Sequence, residues 1–165
     1  GAAAATILKR FRALFPGKAF PKPAAVLAVP IETLRAAGLS GQKTTYIRDL
    51  AQKCIDGHIE ERKIPRMSND EVIEHLVVVK GIGVWTAHMY LIFTLGRLDV
   101  LPVGDLGIQK GFQKLYRLRA MPTASKMETL AKPWRQYASL ASWYLWRVAD
   151  EEKEVKKPRK KKSSS

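Results

Sequence analysis

The sequence predicts an all-α chain made of many short helices. Apolar residues recur at three- and four-residue spacing through most of positions 2 to 148, and no stretch alternates convincingly with period two. Proline, glycine and helix-capping residues interrupt that periodicity often, so the helices are short and pack as a multi-helix domain rather than a long bundle.

In chain order, Ile7, Leu8, Phe11, Leu14 and Phe15 mark a first helix over Ala2 to Phe15, ended by Pro16-Gly17. Pro21, Pro23 and Pro30 bracket a helical turn over Ala24 to Ala28, and Ile31 to Ala37 forms another, closed by Gly38. Gln42 to Asp56 predicts a longer helix with Tyr46, Ile47, Leu50, Cys54 and Ile55 inward. Ser68 and Glu71 form a capping box, opening a helix with Val72, Ile73, Leu76 and Val79 on its apolar side. Lys80-Gly81-Ile82-Gly83 breaks it, and Val84 to Leu95 is helical again until Gly96. Leu106 to Tyr116 reads as a helix despite Gly107 and Gly111, each costing up to about 1 kcal/mol relative to Ala. Four residues apart, these glycines share a face, and the expected reason for them is close approach of the hairpin pair. Ser125 and Glu128 suggest a second capping box. Pro133 then starts a helix to Val148 carrying Trp134, Tyr137, Leu140, Trp143, Tyr144 and Trp146, with Trp134 and Trp146 expected in the core.

The net charge of +14 points to a polyanionic partner. Lys153 to Lys162 supplies +6 of it and leaves +8 on the rest, so the basic character is not confined to the tail. A merely basic ribosomal or chromatin-associated protein fits the charge as well. The segment 150–165 has no apolar periodicity and is expected to be a disordered basic tail; its lysine run suits a nuclear localisation signal, a DNA-tethering arm or a bland solvated end. The single cysteine, Cys54, allows no internal disulfide, suits a reducing compartment and excludes a four-cysteine iron-sulfur cluster. With no apolar run near 20 residues and no signal peptide, no membrane span is expected. No zinc-ligand spacing exists, and His75 and His88 read as structural or exposed.

Two stretches carry chemistry. The hairpin amides and the N-terminus of the helix at Val84 form a site for an anion, with nucleic-acid phosphate the candidate. Asp105, just before Leu106, is placed as an N-cap, and a carboxylate held there should stay ionised. A carboxylate fixed there can stabilise a developing positive charge and can orient or deprotonate a water.

Leu76 to Ala87, LVVVKGIGVWTA, followed by the loop Asp99-Val100-Leu101-Pro102-Val103-Gly104-Asp105-Leu106-Gly107, resembles the helix-hairpin-helix DNA glycosylases with a Gly/Pro-rich loop and an aspartate. Within them the sequence is most similar to the alkylation-repair 3-methyladenine DNA glycosylases of the bacterial inducible and fungal type. The likeness extends to Gly38-Leu39-Ser40 and Lys43 upstream, and downstream to Pro133-Trp134-Arg135-Gln136-Tyr137 and Trp143. It implies one glycosylase domain over 1–149, with the hairpin at 69–95 and the aspartate loop at 97–105.

The resemblance assigns Asp105 as the catalytic residue. It places Lys80, Gly81, Ile82, Gly83 and Thr86 against DNA phosphate, and lets the carbonyls of Gly81 and Gly83 hold a monovalent cation, Na+ or K+, with no other cofactor. Trp85 stands where lyase-active members have a nucleophilic lysine; an indole forms no Schiff base, so a monofunctional hydrolase is implied. Trp85 and Trp143 suit a pocket for a cationic alkylated purine, since indole faces attract a flat cation; a core role for Trp143 stays open. Met89 replaces a pocket tyrosine and Gly104 a second acidic residue of some relatives, which leaves the substrate range open. The expected partner is double-stranded DNA containing alkylated bases, the protein a monomer, in the nucleus of a eukaryote or otherwise the cytoplasm. Rival readings are a glycosylase for oxidised or mismatched bases, disfavoured by Trp85, and a non-catalytic helix-hairpin-helix DNA-binding module, disfavoured by Asp105. The resemblance also implies that the chain starts inside its domain, after the loop that carries a base-replacing wedge side chain.

Overall fold

The computed structural model describes residues 2–17 and 19–155, the last five as backbone alone. Among the described residues there are nine α-helices and two 3₁₀ turns and no strand, as an all-α reading requires. The chain divides into two compact units, Gly1–Ala87 and His88–Ser165.

The first unit holds α1 (Ala2–Ala13), α2 (Pro23–Ala28), α3 (Ile31–Ala36), α4 (Gly41–Ile55), a 3₁₀ turn (Ile64–Arg66), α5 (Asn69–Val77) and the start of α6 (Val84–Phe93). Phe11, Phe15, Val26, Leu34, Leu39 and Ala51 form its core, with the rings of Phe11 and Phe15 edge to face at 5.2 Å. The Arg48 guanidinium of α4 donates to the carbonyls of Leu27 and Val29 and so ties down the end of α2. On α4 the buried side chains are Thr44 and Ala51; of the residues expected inward, Tyr46, Ile47, Leu50 and Cys54 are half-buried and Ile55, in the last turn before the chain leaves the helix, is exposed. The Ser68–Glu71 capping box forms with both of its bonds, Glu71 N–H to Ser68 Oγ and Ser68 N–H to Glu71 Oε2. The Ser68 amide first, and then its hydroxyl, hold the Glu71 carboxyl below its ordinary pKa.

The second unit holds the rest of α6, α7 (Leu106–Leu115), α8 (Ala124–Ala131), a 3₁₀ turn (Lys132–Tyr137) and α9 (Ala138–Val155). Its core is Leu101, Ile108, Phe112, Met127, Ala131, Ala138 and Leu145. Phe112, fully buried, stacks on Tyr116 at 5.6 Å and on Trp134 at 5.8 Å, while Trp134 Nε1 donates to the Tyr116 hydroxyl.

Several local expectations are corrected. The cap of α8 is Thr123, whose hydroxyl accepts from Lys126 N–H, so the expected box at Ser125 lies inside the helix. Pro133 opens no continuous helix: Trp134 has φ −126°, the non-helical angle that lets its indole turn towards Tyr116, and the α-helix begins only at Ala138. The close partner of Gly107 and Gly111 is α9, not the hairpin. A Cβ on Gly111 would lie 2.4 Å from the Leu145 carbonyl oxygen, so only a glycine lets the two backbones meet there. Helix α9 also runs to Val155, past the boundary expected at 149/150, because 151–154 reads Glu-Glu-Lys-Glu, all good helix formers. Residues 156–165, with the lysine run, lie outside the described residues.

Candidate active site

In the second unit, the loop that ends in Asp105 is fixed from below by one buried hydroxyl. Ser139 Oγ donates to the Arg97 carbonyl at 2.7 Å and accepts from Val100 N–H at 3.2 Å, while Ser139 N–H donates to the Leu98 carbonyl. The Arg135 guanidinium donates to the Asp99 carbonyl. Further along, Val103 N–H bonds to the Leu101 carbonyl, Asp105 N–H to the Pro102 carbonyl, and the Gln109 side-chain amide to the Val103 carbonyl. Pro102 is itself fully buried. The aspartate therefore leaves a backbone that has little freedom left.

Asp105 is the N-cap of α7, as expected: its Oδ1 accepts from Ile108 N–H at 2.9 Å. The same oxygen accepts from Trp146 Nε1 at 2.8 Å. Both donors favour the carboxylate over the acid. Trp146, assigned to the core from sequence, is thus a partner of the candidate catalytic group. It stacks on Phe93 with rings 6.2 Å apart and 18° from parallel, and Phe93 in turn meets Trp143 edge to face at 6.3 Å. Trp143 is 56% exposed and so is Phe93, with Tyr144 beside them in sequence at 71%. The alternative of Trp143 as a core aromatic is thereby excluded. Met89 is half-buried on α6, and Gly104 has open space around it. Phe93 and Trp146 were missed by sequence reasoning as parts of the site: one ring ends α6 and the other lies in α9, fifty-three positions later, and no local pattern joins them.

In the first unit, the hairpin between α5 and α6 is built on α4. Gly81 has φ +82°, and a Cβ there would fall 2.1 Å from the Tyr46 ring, so glycine is required twice over. Gly83 differs: its φ is ordinary, and nothing lies within 4 Å of the place its Cβ would take. Ala87 N–H bonds to the Gly83 carbonyl and Ile82 N–H to the Val79 carbonyl. The Lys80 amide, expected as part of an anion site, is instead taken by Asp49 Oδ2 at 2.8 Å; the Lys80 side chain remains exposed. Val84, Trp85 and Thr86, in the first turn of α6, are exposed as well.

The Lys80 amide is the main cause holding the Asp49 carboxyl below its ordinary pKa, with Lys53 adding to it from 3.5 Å. A lowered folded-state pKa means stability that is present above the unfolded value, about 3.9, and lost as pH falls through the folded one. Exchange protection of the Lys80 amide should therefore drop at the acid end of a titration. An Asp49→Asn variant should lack that step, and a wild-type profile flat with pH would contradict the link.

Comparison with known proteins follows the same outline. The model for the HhH-GPD superfamily of base excision DNA repair proteins matches residues 1–136. The chain belongs to that superfamily. It is 36% identical over 148 residues to DNA-3-methyladenine glycosylase 1 of Schizosaccharomyces pombe, covering 89% of this chain and 65% of that protein. The chain thus spans just under two thirds of that relative's length. Among solved structures, the S. pombe 3-methyladenine DNA glycosylase in complex with abasic DNA superposes with a TM-score of 0.71 at 38% identity, covering 89% of this chain and 72% of that one. The DNA-3-methyladenine glycosidase of Bacillus halodurans gives 0.81 at 38% identity, covering 93% and 70%.

Proposed function

We propose that the protein is a monofunctional DNA glycosylase that flips an alkylated purine out of double-stranded DNA and hydrolyses its bond to deoxyribose. The observation that carries this reading is the Asp105 carboxylate, held by an amide and by the Trp146 indole, which stacks on the exposed ring of Phe93, itself edge to face with the exposed Trp143. Alkylation at a ring nitrogen makes a purine cationic. A flat cation is attracted to an electron-rich indole face, which suits Trp143, and the positive charge makes the base a good leaving group. A strong general acid is then unnecessary. As the glycosidic bond lengthens, positive charge builds on the sugar, and the fixed carboxylate of Asp105 stabilises it and orients water for attack. No lysine stands at position 85, so the sugar is attacked by water and an abasic site remains. The relatives' printed names, 3-methyladenine glycosylases among them, support the same substrate class.

The hairpin would grip one strand through its phosphates, with Gly83, the Lys80 side chain and Thr86 as contacts. The carbonyls of Gly81 and Gly83 would supply oxygen ligands to Na+ or K+. That of Gly83 already accepts from Ala87 N–H, and a carbonyl has a second lone pair to offer. The bound cation would add positive charge against a phosphate.

Release of free base from methylated duplex DNA by the full-length protein tests the reading; no release above the uncatalysed background would reject it. The two hairpin glycines give a finer check. Gly83→Ala should melt within about 1 kcal/mol of wild type, yet bind duplexes of unrelated sequence more weakly and to the same degree, since phosphate contacts carry no base information. Gly81→Ala should cost more than about 1–2 kcal/mol of stability, from its left-handed backbone alone. Thermal melts and titrations with two unrelated duplexes measure both. A change confined to lesion choice would move the hairpin's role from grip to pocket.

A further inference from the structure

We propose that Trp146 is a positioning residue for Asp105, and that Gly107 is glycine so that the indole can reach the carboxylate. The inference rests on the glycosylase reading above and extends it to residues outside the motif. The cap bond from Ile108 N–H holds one oxygen of Asp105, but aspartate χ2 lies in a broad well, and a carboxylate with one donor can still turn about it. Trp146 Nε1 donates to that same oxygen at 2.8 Å. Two donors arriving from different directions fix the plane of the group, and therefore the direction of its second oxygen.

The indole can act in this way because it is itself held. Phe93 stacks on it, and its neighbour Leu145 is buried with its backbone against Gly111. Indole nitrogen is a donor only, so it can support the charged carboxylate but cannot accept a proton's bond from the acid. Gly107 completes the arrangement: a Cβ there would stand 2.8 Å from Trp146 Cδ1 and 3.0 Å from Asp105 Oδ1, between the two partners. Any side chain at 107 would push the ring edge and the carboxylate apart. An aromatic that merely filled the core would require neither that glycine nor a nitrogen turned towards the cap.

The test uses the full-length protein as wild type, Trp146→Phe and Gly107→Ala. Single-turnover release of base from methylated duplex DNA should fall roughly tenfold in Trp146→Phe, which keeps a ring for Phe93 and loses the donor. Affinity for abasic duplex DNA should stay within about twofold, the split expected when an interaction acts on the reacting group and not on binding. The Trp146 Nε1–H proton resonance, shifted by its bond to a charged oxygen, should move in Asp105→Asn and in Gly107→Ala. Equal release by wild type and Trp146→Phe overturns the inference and leaves the glycosylase reading standing. So does a resonance unmoved by Asp105→Asn, which decides the matter even if Trp146→Phe does not fold. Absence of release by the wild type overturns the reading and this inference with it.

Discussion

Asp105→Asn should abolish base release, by about 10³-fold or more in a single-turnover assay, while the protein melts near the wild-type temperature. The contrast follows from what asparagine keeps. Its side-chain oxygen can still cap α7 by accepting from Ile108 N–H, and asparagine is among the best N-cap residues. It can also still accept from Trp146 Nε1. What it loses is the negative charge beside the developing sugar cation and the ability to take a proton from water. Affinity for DNA should be equal or slightly higher, because an anion near phosphates is gone. Release at near the wild-type rate would reject the proposed mechanism outright.

Gly111→Ala should be the most damaging of the small substitutions, lowering stability by about 3 kcal/mol and the melting temperature by about 6–12 °C. The added methyl would sit 2.4 Å from the Leu145 carbonyl oxygen, which is backbone and has no rotamer to move. Helix α7 must then lift from α9, and Ile108, Phe112 and Leu145, all fully buried, lose part of their packing. Since α7 carries Asp105 and α9 carries Trp146, base release should fall as well. A thermal melt and the release assay measure both effects; an unchanged melting temperature would mean that the two helices have slack the geometry does not suggest.

Much of the site was legible because its signals are local. The capping box at Ser68, the glycine hairpin and the aspartate ahead of α7 each announce themselves within a few residues; the box and the cap form as read, and the hairpin breaks the helix where expected, though only Gly81 takes a positive φ and the Lys80 amide goes to Asp49. What could not be read depends on which helix meets which. Gly107 and Gly111 gave away a close neighbour by their spacing but not that it would be α9. Trp146 looked like any apolar residue of an amphipathic helix, since nothing in a one-dimensional pattern says that an indole nitrogen will find a carboxylate forty-one positions earlier. The two glycines of the hairpin looked equivalent, and it takes the left-handed backbone at Gly81 and the Tyr46 ring, contributed by α4, to separate the one that must be glycine from the one with open space. The break at Trp134 had a similar origin, a bond to Tyr116 outweighing the helical preference of the segment.

The buried hydroxyl of Ser139 bonds to the backbone at Arg97 and Val100, and its own amide to Leu98, while Arg135 holds the carbonyl of Asp99. The aspartate loop is therefore not a portable module. Transplanted alone onto another helical scaffold, residues 97–105 would arrive without the turn that sets their path, and the carboxylate would point wherever the new host allowed. The unit an engineer would have to move is discontinuous: residues 97–109, with the start of α7, together with 135–146, two pieces of chain that function as one part.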